Sequence, residues 1–218
     1  MSSRPKNAAP RPAPRLYLVT PPVDEAQAFA PQLEAAMAAG DVAAVLLRLA
    51  DADERTQINR AKALGRIVQD KDAALLLDGH AELVARAGAD GAHLAGIGEF
   101  TEALETLKPE RIAGAGHLET RHDAMTAAEQ GADYVMFGEP GENGERPEFA
   151  SIEERVAWWA EVFEAPCVGF AASAGEVALL VTAGADFVAL GDWVWNDPRG
   201  AAVCVAEAAA HLSLEPAP

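Results

Sequence analysis

Ala183-Gly184-Ala185-Asp186-Phe187-Val188-Ala189-Leu190 reads as a helix end, a turn and a short apolar strand, and the chain repeats that phrase. Ala39-Gly40-Asp41, Ala87-Gly88-Ala89-Asp90 and Gln130-Gly131-Ala132-Asp133 are the other copies, each followed by an apolar run. Glycine just past a helix end takes the left-handed conformation at little cost. Apolar runs without alternation suit strands buried on both faces. Gly40, Gly88, Gly131 and Gly184 lie 48, 43 and 53 residues apart, room in each interval for two strand–helix units. The phrase therefore marks quarter-barrels and predicts an α/β protein, a single eightfold (β/α) TIM barrel. Catalytic and binding groups in such a barrel stand at the C-terminal ends of the strands.

The 218 residues suffice for one domain with a sizeable core. A formal net charge of −17 argues against nucleic acid and against an anionic membrane as partners. It leaves room for a small-molecule ligand, even a phosphorylated one held by backbone N–H groups. Cys167 and Cys204 are the only cysteines, too few for a disulfide framework, so a cytoplasmic, reducing location is expected. No apolar stretch is long enough to span a bilayer. Residues 1–14 are rich in Pro and Ala and lack the apolar core of a signal peptide. They are expected to be a disordered tail, with the barrel over 15–212 and a C-terminal tail over 213–218.

Strands are expected at 16–20, 42–48, 73–78, 91–94, 112–115, 134–138, 167–171 and 187–190. Helices are expected over 24–39, 53–68, a short segment ending at 87, 100–107 and 121–130. Ser151 with Glu154, and Ser173 with Glu176, have capping-box spacing and are expected to open the sixth and seventh helices. Asp197-Pro198 is expected to start the eighth. Residues 139–149 form the longest irregular loop.

The strand ends would present Thr20, Arg48, Asp78, His80, His93, Glu99, His117, Glu139, Ser173, Gly191 and Asp192. His80, His93 and His117 follow or end three neighbouring strands. With Asp78 they are candidates for an acid–base or metal cluster, against the plainer reading of His93 as a hydrogen-bonded interior residue. No HxH or HExxH spacing supports a tight metal site. Arg48 suits an anionic ligand, or a salt bridge to Asp51 or Asp78. Asp78 suits a divalent cation, or a helix cap. His122, in the first turn of the fifth helix, faces either the site or solvent. Ala172 and Ser173 after the seventh strand, with Gly191 and Asp192 after the eighth, occupy the usual barrel phosphate position. A carboxylate at Asp192 repels phosphate unless it points away, and a plain helix cap is the alternative. Trp158-Trp159, Trp193 and Trp195 are candidates for outer-helix packing, a pocket wall or a homo-oligomer contact.

Five stretches make the chain resemble the thiamine-phosphate synthase and thiazole tautomerase family, from Leu16 to about Ala210. They are Leu16-Tyr17-Leu18-Val19-Thr20, Val45-Leu46-Leu47-Arg48, Gly88-Ala89-Asp90-Gly91-Ala92-His93-Leu94, Gly131-Ala132-Asp133-Tyr134-Val135-Met136-Phe137-Gly138 and residues 183–190. The resemblance implies a transferase of thiamine biosynthesis that joins a pyrimidine diphosphate to a thiazole phosphate with Mg²⁺, without an organic cofactor. It also implies where that machinery would sit. The family's Gln-Leu-Arg-x-Lys on the second strand is here Leu46-Leu47-Arg48-Leu49-Ala50, and its Asn-Asp pair is Leu77-Asp78. The second metal-binding Asp falls at Gly98, beside Glu99, so Asp78 alone keeps a Mg²⁺-type position. The family's Ser after the fifth strand falls at Gly116 or His117. Its Thr- and Lys-bearing loop is replaced by residues 139–145. Its paired glycines after the seventh strand are Ala171 and Ala172, and its Ser after the eighth is Gly191 or Asp192.

The resemblance implies that Leu46, Ala50 and Gly98 have lost grip on a diphosphate and its Mg²⁺, and that Ala171 and Ala172 stand where glycines would hold the thiazole phosphate. The expectation is thus a divergent member that binds a phosphorylated or heterocyclic ligand, with reduced synthase activity. A tautomerase-like acid–base enzyme built on His117, His122 and Asp78 is the alternative, and a non-catalytic regulatory barrel the third reading.

Overall fold

The computed structural model describes residues 12–141 and 143–212; the expected tails fall almost entirely outside them. Eight parallel strands close into a barrel in sequence order. They are β1 (Arg15–Val19), β2 (Val42–Leu47), β3 (Ala74–Asp78), β4 (Gly91–Ala95), β5 (Ile112–Gly116), β6 (Tyr134–Phe137), β7 (Cys167–Ala171) and β8 (Phe187–Leu190). The outer helices are α1 (Ala26–Ala38), α2 (Glu54–Gln69), α3 (Val84–Ala87), α4 (Gly96–Leu107), α5 (Arg121–Glu129), α6 (Phe149–Val162) and α7 (Ala174–Ala183). A single turn, α8 (Asp192–Trp195), precedes the last helix, α9 (Ala201–Leu212).

Two apolar layers result from the alternation of side chains along each strand. Leu16, Leu18, Val45, Leu47, Leu75 and Leu77 point outward and pack under the helices. Tyr17, Val19, Leu46, Leu76, Tyr134, Met136, Val168 and Phe170 point inward and fill the barrel.

The repeated phrase has a mechanical role. Gly88, Gly131 and Gly184 adopt φ of +70°, +96° and +99°, as the helix-end reading requires. The aspartate after each then grips the strand before it. Asp90 donates its N–H to Leu75 O, and its carboxylate accepts Leu75 N–H at 2.7 Å. Asp133 does the same with Ala113, and Asp186 with Cys167, at 2.7 and 2.9 Å. The first copy differs. Gly40 is absent from the positive-φ residues, and a Cβ there would stand 3.2 Å from Leu16, Val205 and Ala209. Its Asp41 is forked by Arg15 instead, with Nη2–Oδ1 at 2.7 Å. Close packing, not backbone handedness, calls for glycine at position 40.

Two expected helix starts are corrected, and one expected capping box does not form. α6 begins two residues before Ser151, without a side-chain cap, and Glu154 pairs with Arg121. Ser173 does cap α7 by position, but its hydroxyl makes no capping bond, and Glu176 bonds elsewhere. Asp197 does not open the last helix, because Arg199 binds its carboxylate through both backbone and guanidinium in a separate turn. The capping box that does form is Thr120 with Asp123, at the start of α5.

Candidate functional site

A cavity of about 360 Å³ opens at the C-terminal ends of the strands. Arg48, Asp78, His93, His117, Glu139, Ala172, Gly191 and Asp192 line it, with Val19, Leu46, Met136, Phe170 and Trp193 as its apolar wall. Four strand-end residues from β2 to β5 thus meet in one space. His122 does not: it lies exposed on α5, clear of the lining. His80 is also outside, turned onto Glu82. Ser173 is exposed at the start of α7 and does not line the cavity.

The floor is polar and buried. His93 sits inside the barrel, 1 % exposed. Its Nδ1 lies 2.9 Å from the Tyr134 hydroxyl, and its Nε2 lies 2.7 Å from Glu139 Oε1. The Tyr134 hydroxyl continues to that of Tyr17 at 2.8 Å. Glu139 Oε2 accepts the backbone N–H of His117, and the His117 ring stands 3.8 Å from Oε1. Burial opposes charge on both partners of the His93–Glu139 pair. Their mutual attraction and hydrogen bond outweigh it, raising the His93 pKa and lowering that of Glu139. With His93 protonated, both ring nitrogens donate, and Tyr134 passes its own hydroxyl proton toward Tyr17. Burial, above all, pushes both tyrosine pKa values upward, so both hydroxyls stay protonated.

Two glycines make room for this chain. A Cβ on Gly114 would stand 2.0 Å from Tyr134 Cζ, and one on Gly116 would stand 2.1 Å from Glu139 Oε1 and 2.2 Å from His93 Nε2. Tyr17, Tyr134 and both glycines are site residues that the strand-end reading of the sequence does not include. Their signal is two glycines two apart in a strand, Gly114 and Gly116, facing the same way.

The positive groups in the lining are already paired. Arg48 Nη2 reaches Asp192 Oδ1 at 2.5 Å, and its Nε donates to Thr20 O. Arg48 therefore takes neither Asp51 nor Asp78 as its partner. The Asp78 carboxylate makes no hydrogen bond or ion pair among the described residues, but its charge acts on His93 and helps to raise the pKa of that ring. At the phosphate position, the Ala172 N–H is bound by Glu176 Oε2 at 2.8 Å, while Glu176 Oε1 holds Arg146 at 2.5 Å. Gly191 accommodates the Phe170 ring, whose Cζ would stand 2.5 Å from a Cβ there. Trp193 spends its indole N–H on Ala171 O, and Trp195 on Val19 O.

The chain matches the family model described as thiamine monophosphate synthase over residues 16–193. The chain belongs to the thiamine monophosphate synthase family. It is 43 % identical to the thiamine-phosphate synthase of Rhodospirillum centenum over 88 % of this chain and 95 % of that one. It is 39 % identical to the thiamine-phosphate synthase of Hyphomonas neptunium over 91 % and 93 %. Its fold matches the solved thiamine phosphate pyrophosphorylase from Pyrococcus furiosus with a TM-score of 0.75, 20 % identity, and 91 % and 95 % coverage.

The family resemblance implies Mg²⁺, and the residues present do not fit it. Asp78 is the lone carboxylate at either implied metal position. Gly98 offers no ligand, and Glu99 is turned back to accept the Ala95 N–H at 3.2 Å. Among the described residues, no group of three His, Cys, Asp or Glu side chains is placed to hold an ion. Of the other replaced positions, Leu46 lines the cavity, whereas Leu77 faces outward into the helix-packed core.

Proposed function

We propose that this member of the thiamine monophosphate synthase family binds a small heterocyclic ligand of thiamine metabolism in the strand-end cavity. Mg²⁺-assisted transfer from a diphosphate is slow in it. The observation that carries this reading is the pairing of Arg48 with Asp192. Arg48 is the one arginine or lysine among the lining residues, and a carboxylate already satisfies it. A diphosphate leaving group needs fixed positive donors, and one lost donor of this kind costs on the order of 10²–10³ in rate.

A coupled pyrophosphate assay with the pyrimidine diphosphate, the thiazole phosphate and Mg²⁺ tests this. Turnover is expected far below that of an intact synthase, while thermal shift with thiamine intermediates reports binding. Rapid turnover would reject the reading.

A second reading, a tautomerase-like acid–base enzyme, is favoured by Glu139. It contacts His93 and lies near His117 at the cavity edge. A carboxylate beside an imidazole orients that ring as the group that can exchange a proton with a bound ligand. His117 and Asp78 keep their candidate roles in this reading; His122 does not. Cys167 and Cys204 are both buried and form no disulfide, which suits a cytoplasmic location. No helix among the described residues is long and apolar enough to cross a membrane.

A further inference from the structure

We propose that the outer face of α7 and α9 is an interface on which a second copy of this chain docks, two-fold related and face to face. The inference goes beyond the ligand-binding reading and does not rest on it, because no exposed residue of that face lines the cavity.

The composition of α7 calls for a cover on both sides. Its ten residues, Ala174 to Ala183, include a single charged one, Glu176. A helix that is apolar all round is ordinarily buried all round. The barrel covers only part of it. Val177 and Leu180 are buried, while Gly175, Leu179 and Thr182, which share one face, are exposed. α9 repeats this alongside: Cys204, Val205 and Ala208 are buried, and Val203, Ala206 and Ala210 are exposed. α7 packs against α9 on one side and α6 on the other. Among the described residues, the large apolar side chains left exposed are Val162, Leu179 and Val203, at 58 %, 46 % and 38 %. They belong to these three adjoining helices, which separates them from apolar residues scattered singly over a surface.

Charge decides the occupant. In a two-fold contact the same patch meets itself, so any unmatched charge meets its own sign. In a chain with a net charge of −17, few faces pass that condition. α4 fails it, with Glu99, Glu102 and Glu105 and no cation. α7 and α9 pass. The one carboxylate on each, Glu176 and Glu207, is held by an arginine, Arg146 at 2.5 Å and Arg199 at 2.7 Å. Gly175, Ala206 and Ala210 carry nothing larger than a methyl, so helices of two copies can approach closely there. An anionic membrane, the other apolar surface such a face could meet, is repelled by the net charge.

Sedimentation velocity on the full chain over a range of concentrations tests this. A species of twice the mass of one chain is expected. Its dissociation constant is expected to fall as salt rises, because salt screens the repulsion between two acidic chains and leaves an apolar contact in place. Leu179→Glu and Val203→Glu each set like charges across the contact and are expected to weaken it about tenfold or more. Both positions are exposed, so the melting temperature of the monomer should hold. Ala63→Glu, exposed on α2 and away from the face, should leave the dimer intact. Hydroxyl-radical labelling of Leu179 and Val203 in the unaltered chain gives a readout that needs no variant to fold, and it should drop as concentration rises. A monomer at every concentration, even one that takes another protein or a vesicle on this face, would overturn the inference. So would a dimer that salt dissociates, or one that both substitutions leave intact. Each of these results leaves the ligand-binding reading where it stands.

Discussion

His93 and Glu139 form an ion pair inside the mouth of the barrel, with 2.7 Å between Nε2 and Oε1 and side chains 1 % and 8 % exposed. His93 comes from β4 and Glu139 from the loop after β6, so the bond ties two parts of the rim across the intervening β5. Gly116 is the residue over which they meet.

The pair has a defined pH window. His93 has a raised pKa, so its contribution is full below the ordinary imidazole value of 6.5 and is lost as pH rises through the raised value. Glu139 has a lowered pKa, so its contribution is full above the ordinary 4.5 and is lost as pH falls through the lowered value. Both contribute fully between pH 4.5 and 6.5. NMR titration should find the His93 ring titrating above 6.5, and Glu139→Gln should bring that value down. A His93 that titrates below 6.5 in the unaltered chain would refute the ion pair.

Gly114→Ala should damage the barrel more than an ordinary core substitution. The added methyl would stand 2.0 Å from Tyr134 Cζ, and Tyr134 is held by Tyr17 and His93. Overpacking of this kind costs about 1–3 kcal/mol or more. Urea unfolding measures it, and the double variant Gly114→Ala with Tyr134→Ala should recover part of the loss caused by the clash.

Asp90→Ala removes the acceptor for the buried Leu75 N–H of β3. A buried N–H left without its partner costs about 1–3 kcal/mol. Asp41→Ala removes an exposed fork to Arg15 instead, where about 1 kcal/mol or less is expected. Equal losses at the two sites would contradict the view that three of the repeated aspartates clip neighbouring strands.

Restoring diphosphate grip should raise synthase turnover only where the new side chain reaches the site. Leu46→Gln puts an amide in the cavity lining and should increase any trace pyrophosphate release. Leu77→Asn should instead lower stability without helping, because that position is fully buried in the outer core. Burying an unpartnered amide there costs about 1–3 kcal/mol. Higher turnover from Leu77→Asn would show that the outward assignment is wrong.

The sequence by itself determined the barrel, the order of its strands and the face that carries the site. Those features follow from local regularities: apolar runs of strand length, glycine where a helix must turn left-handed, and a spacing that fits two units. It also brought Arg48, Asp78, His93 and His117 to one rim, since consecutive parallel strands are neighbours in a closed barrel. Only the tertiary structure decided who pairs with whom. Arg48 meets Asp192, 144 residues away; Tyr17 meets Tyr134, 117 away; and His93 meets Glu139, 46 away. Glu176 reads as a helix-capping residue in sequence, yet it binds Ala172 and Arg146 because the loop before α6 folds over α7. A local pattern records what a side chain can bond. Which partner it meets depends on the barrel's curvature and on the space its glycines leave open.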